Sequence, residues 1–174
     1  LFGRLSKNID FIKRYGEVPM GSLESFLQIL KNKLRLRQLI FARWAMVMMN
    51  FEKSLYSNPD QDLNNLWWEL VKKYQLLNFS RDKPDWASKI HLVSSPVYYH
   101  NYLFGELLAS QIDFFIAKNL SGKEGENYNG NKLAGNFLNE GIFSSGALYR
   151  WDVLIEKVLG EKLNPDYFVK QFLD

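Results

Sequence analysis

The stretch LESFLQILKNKLRLRQLIFARWAMVMMNFEKSLY, residues Leu23 to Tyr56, decides the fold. It contains no glycine and no proline. It is rich in Leu, Met, Gln, Lys and Arg, which lose little side-chain freedom in a helix. Leu23, Phe26, Leu27, Leu30 and Leu34 recur at helical spacing. Pro19–Gly21 breaks the chain beforehand, and Ser22 with Glu24 or Ser25 offers a start. The pattern predicts one long helix, with room for a kink. Its second half, LIFARWAMVMMNF, is apolar on nearly every side and is expected to lie deep in a larger body.

Working outward, Asn58, Pro59 and Asp60 predict a turn, and a second helix follows from about Asp62 to Leu77, carrying Trp67, Trp68 and Tyr74. Asn78–Ile90 reads as a polar connector around Pro84, extended near Lys89–Leu92. A third, largely apolar helix is expected from about Ser95 to Leu120, then a loop over SGKEGENYNGN, Ser121–Asn131. Short helices are predicted at about Lys132–Asn139 and Ala147–Leu159, the latter capped by Gly160. A last one is expected to open on Asn164–Pro165. No alternating strand pattern, internal repeat or clear linker interrupts this series. The fold class is all-α, in a single helical domain or subdomain spanning residues 1–174. The two central helices look too apolar for a free-standing bundle and suit a larger helical protein.

Composition agrees with a folded core. The 174 residues are 47% hydrophobic, 24% charged and 16% aromatic, which excludes a disordered tail or a coiled-coil stalk. A net charge of +3 is too small to imply nucleic acid by itself. The basic run KNKLRLRQ, Lys31–Gln38, reads as a solvated helix face without interleaved aromatics, so no nucleic-acid partner is expected. No apolar run reaches the ~18 residues of a membrane span. The chain opens on Leu1 with LFGRLSKNID, unlike a signal peptide, and reads as a fragment or a processed chain.

The chemistry available is limited. Cysteine is absent, which excludes disulfides, thiolate metal sites and cysteine nucleophiles. The two histidines, His91 and His100, stand nine apart, half a turn out of phase on a helix. No His-Glu-x-x-His pattern occurs, so no metal site made by this chain alone is expected. Ser144 and Ser145 lack a nucleophile elbow and read as caps. GKEGENYNG lacks the ending of a phosphate loop.

One segment stands apart: SKIHLVSSPVYYHNY, Ser88–Tyr102. Extended backbone at Lys89–His91 would point those two side chains to one side. Tyr98 and Tyr102 are four apart on a helix, and Tyr99 and Tyr102 three apart. An ammonium, an imidazole and phenols converging at a helix start suit a carboxylate and a developing oxyanion. The plainer alternative is a snorkelling lysine, a capping histidine and core tyrosines with satisfied hydroxyls.

These residues, together with FARWAMVMMNFEKSLY, LWWELVKKYQLL and the terminal PDYFVKQFLD, resemble the angiotensin-converting enzyme family of zinc dipeptidyl carboxypeptidases. The resemblance covers about Leu39 to Asp174 and rests on the order and spacing of its motifs. It implies a mostly helical, two-lobed body with a deep cleft, of which this chain would be the C-terminal part. It implies zinc in the intact enzyme, held upstream of Leu1 by His-Glu-x-x-His and a later Glu. It also implies an oligopeptide substrate, and the missing N-terminal part of the same protein as a partner. Lys89 would grip the substrate's terminal carboxylate, with Tyr98 or Tyr99 as a second carboxylate ligand. His91 would hydrogen-bond the peptide carbonyl, and Tyr102 would stabilise the oxyanion. Gln111, nine residues beyond Tyr102, matches the family's spacing. Asn101 and Val71 stand where the family has arginines associated with chloride, which argues against chloride activation. The missing cysteines suit a bacterial member. The chain alone is expected to be inactive and to hold no zinc. The alternatives are a noncatalytic helical module binding peptides or partners, and an oligopeptidase of the same clan. The compartment stays open, with a periplasmic or extracytoplasmic one as a guess.

Overall fold

A computed structural model describes residues 8–17, 19–120 and 129–173. Most of the expected 121–131 loop, like the first seven residues, lies outside them. The described elements are helical throughout: α1 (Ile9–Tyr15), α2 (Leu23–Ser57), α3 (Leu63–Leu70), α4 (His91–Ser94), α5 (His100–Asn119), α6 (Lys132–Asn136), α7 (Trp151–Leu159) and α8 (Asp166–Phe172). No strand occurs among the described residues. The all-α class holds.

The described chain falls into two compact units. One is Arg35–Gly105; the other holds the described residues up to Leu34 and from Glu106 onward. The boundaries fall inside α2 and α5.

In the unit of residues 35–105, α2 contributes a buried face of Ala45, Val47, Met48 and Phe51. The helix stops before Pro59, as a residue preceding proline is barred from helical geometry. Gln61 covers the end, its Nε2 donating to the carbonyls of Ser54 (2.8 Å) and Asn58 (2.6 Å). The Asp62 carboxylate caps α3 by accepting from the Asn65 N–H at 2.9 Å. Trp67 then packs edge-on against Trp44 and Phe51, with ring centroids 5.7 and 5.1 Å apart. The expected second helix changes character before its end. It continues as a π-helical turn, Val71–Gln75, and stops at Leu76 with φ 60°. Arg43 of α2 donates to the Tyr74 carbonyl at 3.0 Å, one of those freed there.

The larger departure lies around Pro96. Lys89 is extended, but Ile90 is already helical (φ −51°, ψ −33°), and His91–Ser94 form the short α4 instead of a strand. The expected third helix therefore does not start at Ser95. Ser95 precedes proline and takes ψ 63°, Val97 takes φ 55°, and α5 begins five residues later at His100.

In the other unit, Ile112, Ile116, Leu138, Ile155 and Leu159 lead one cluster, with Phe115 and Phe137 packed against it; Ile12, Leu23 and Leu27 form another, and Phe168 and Phe172 are buried as well. Asn131 caps α6 (Ala134 N–H to Oδ1, 3.1 Å), which runs on as a π-helical turn to Ile142. Helix α7 starts at Trp151, later than expected, because Gly146 (φ 49°, ψ −122°) and the turn after it hold the preceding residues out of the helix. Gly160 caps it in the left-handed conformation (φ 78°), where a side chain would be strained. Asn164 Oδ1 accepts from the Asp166 N–H at 2.9 Å at the start of α8, with Pro165 between them. Buried Gln111 of α5 donates to the Lys162 carbonyl (2.9 Å) and accepts from the Asn164 N–H (3.0 Å), clamping that turn.

Candidate functional site

All five sequence-selected side chains lie in the unit of residues 35–105. Four of them form a contact series that runs through Trp44 of α2 and Tyr99. The Lys89 Nζ stands over the rings of Trp44 and Trp67, 5.4 and 5.7 Å from their centroids. The Trp44 Nε1–H donates to the Tyr99 hydroxyl oxygen at 2.5 Å. The Tyr99 ring lies 5.1 Å from His91 and 5.1 Å from Tyr102, and His91 lies 5.9 Å from Tyr102. Ammonium, indole, phenol and imidazole thus follow one another in contact. The extended backbone expected to align Lys89 with His91 is absent; the two residues reach this cluster from either side of the bend at Ile90.

Tyr98 and Tyr99 part company. Tyr99 is buried among Trp44, His91 and Tyr102, while Tyr98 is 49% exposed, its ring 5.7 Å from Tyr102. Tyr102 keeps 43% of its surface exposed. Burial pushes the Tyr99 phenol above its ordinary value, the Trp44 hydrogen bond pulls it down, and Tyr102 adds a smaller upward push. Tyr99 therefore stays protonated at neutral pH, accepting from Trp44 and keeping its own proton to donate.

Lys89 also borders a hollow of about 410 Å³, otherwise apolar, between Leu55 and Tyr56 of α2 and Trp86, Leu92 and Val93. His100 turns elsewhere, its ring 5.4 Å from Phe104. Among the described residues, no three His, Asp or Glu side chains gather as a metal would need, so these residues supply no ligand set for the zinc that the resemblance implies. Ser144 does not cap a helix; its hydroxyl donates back to the Glu140 carbonyl at 2.7 Å. Gln111 is the clamp described above.

Two residues escaped the sequence reading. Trp44 sits at the hub of the cluster, yet in FARWAM it reads as one more apolar residue. Glu52 is 4% exposed on the core face of α2 and accepts a hydrogen bond from the Val97 N–H. Its signal was available: Ala45, Met48 and Glu52 fall at i, i+3 and i+7, which sets a carboxylate on the buried stripe.

Comparisons with family models, with curated proteins and with solved structures found no match.

Proposed function

We propose that this chain supplies the carboxylate-binding and oxyanion-binding side chains of a zinc dipeptidyl carboxypeptidase of the angiotensin-converting enzyme type. The observation that carries the reading is the contact series Lys89, Trp44, Tyr99, His91 and Tyr102. The zinc that such an enzyme uses would be held by residues outside this set, and the roles below belong to the chain itself.

Lys89 offers a compact positive charge on an aromatic floor, suited to a peptide's terminal carboxylate. Tyr99 adds a neutral O–H donor one indole away, and so takes the second carboxylate role in preference to Tyr98. His91 and Tyr102 sit on the far side of Tyr99, where a peptide carbonyl further along the substrate would lie. They would donate hydrogen bonds to the oxygen as it gains charge. A grip on the free carboxylate at one end and donors at a fixed remove set where the chain is cut. That spacing is the basis for release of a dipeptide.

The test is hydrolysis of an N-blocked tripeptide, with a free or an amidated C-terminus, by the longer protein carrying this chain. Release of the dipeptide from the free acid alone is expected. Equal cleavage of the amide would remove Lys89 from carboxylate recognition and favour an oligopeptidase. Tyr102→Phe is expected to lower kcat by about 10²–10³, with little change in KM, the loss typical of one oxyanion donor. An unaltered kcat would take Tyr102 out of the mechanism.

A further inference from the structure

Val97 takes φ 55°, the left-handed region that a β-branched side chain rarely enters. It lies in the five-residue turn between α4, which carries His91, and α5, which carries Tyr102. A conformation of this kind persists only where the surroundings enforce it. The enforcing contact comes from 45 residues away: the Glu52 carboxylate accepts the Val97 N–H. Glu52 is buried within the aromatic core, where a carboxylate without a strong hydrogen bond would be costly.

The same helix holds the turn at two more points. The Tyr56 hydroxyl donates to the Leu92 carbonyl at 2.8 Å, and the Trp44 indole N–H reaches the Tyr99 hydroxyl at 2.5 Å. Residues 52 and 56 are four apart and neighbour one another on α2, with residue 44 about 80° further round from 52. Tyr56 fixes α4 before the turn, Glu52 the turn's strained middle, and Trp44 the side chain of its last residue, Tyr99.

From this we infer that Glu52 is a positioning residue. By fixing the Val97 peptide in its left-handed turn, it sets where Tyr99 and Tyr102 stand relative to His91. It touches no substrate. The inference builds on the proposed function for its purpose, but its geometry is tested without any peptide.

The experiment is a proton–nitrogen correlation spectrum of the 174-residue chain, read at the Trp44 indole N–H and the Val97 amide. Glu52→Leu fills the core without an acceptor. It is expected to shift the Trp44 indole signal towards that of an indole without a partner, while helicity by circular dichroism is kept. Glu52→Gln retains an acceptor oxygen and is expected to keep the wild-type position. Adding Val97→Gly to Glu52→Leu is expected to return the signal, because glycine adopts φ 55° without help. A folded Glu52→Leu chain with an unmoved Trp44 signal would overturn the inference, as would a failure of glycine to restore a shifted one. Should Glu52→Leu lose its helices, hydrogen exchange in the unmodified chain decides. A protected Val97 amide supports the carboxylate contact, and exchange at the rate of a free peptide removes it. None of these readings depends on hydrolysis, so the peptidase proposal can fail while this one stands, and the reverse.

Discussion

In the unit of residues 35–105 the interior is built on Phe51, Trp67, Trp68 and Tyr99; in the other unit it is built on Ile112, Ile116, Leu138, Ile155 and Leu159. The first carries two indole N–H donors within its packed rings. The Trp68 N–H donates to the Arg81 carbonyl at 3.0 Å, and the Trp44 N–H to Tyr99. An aliphatic core is held by volume, whereas an aromatic core with N–H and O–H groups is also held by direction. The other unit uses buried Gln111 as a clamp.

The largest test of this contrast is truncation in each core. Phe51→Ala is expected to cost about 3–5 kcal/mol and Ile116→Ala about 2–5 kcal/mol in urea unfolding. Only Phe51→Ala should also reduce near-ultraviolet dichroism strongly, since Phe51 lies edge-on to Trp67 and tilted against Trp86. Equal spectral changes would blur the distinction. Next in size is Gln111→Ala, which orphans the Lys162 carbonyl and the Asn164 N–H and should cost about 1–3 kcal/mol. A negligible change would mean that the clamp is not structural.

The tyrosines sharpen the comparison further. Tyr99 and Tyr167 both hold their protons above the ordinary tyrosine range, for different first reasons: burial for Tyr99, and for Tyr167 a hydrogen bond donated to the Glu161 carboxylate at 2.5 Å. A phenol whose folded pKa is raised contributes fully below the unfolded value near 10 and loses that contribution as pH rises through the folded value. Stability should therefore fall above about pH 10. Tyr99→Phe should lessen that fall at a cost of about 1 kcal/mol at neutral pH, from the Trp44 N–H left without its acceptor. Glu161→Gln should bring the Tyr167 titration back towards the ordinary range and leave that of Tyr99 in place, as followed by phenolate absorbance. The smallest effect expected is Gly160→Ala, about 1 kcal/mol from the left-handed φ alone, as open space surrounds the position. Thermal unfolding would register it.

What could be read in the sequence was what neighbouring residues decide. The span of α2 followed from the absence of Gly and Pro, the Gly160 cap from its place after an apolar helix, and the Asn164 hydrogen bond from Asn-Pro. The residues Lys89, His91, Tyr99 and Tyr102 stand close in the sequence and form one contact series with Trp44, although the extended backbone and the shared helix expected to align them are absent: the chain bends at Ile90, and Tyr99 precedes α5. The break at Pro96 was not legible, although proline and the residue before it were in plain view. The hydrophobic run continues across the break, and periodicity alone joined the two sides. That Tyr99 is buried while Tyr98 is exposed follows from a turn that Glu52 contacts from 45 residues away, and no local pattern reports such a contact. The π-helical turns after α3 and α6 were hidden for a related reason, since they keep the composition of the helices they extend.

The ammonium of Lys89 rests on two indole faces and, among the described residues, has no carboxylate partner. Indole emission responds to charge placed near its plane, so Trp44 and Trp67 form a built-in optical gauge of that spot. An anion drawn to Lys89 would alter the emission of the chain without any added label, and a guest lacking negative charge would leave that signal quiet.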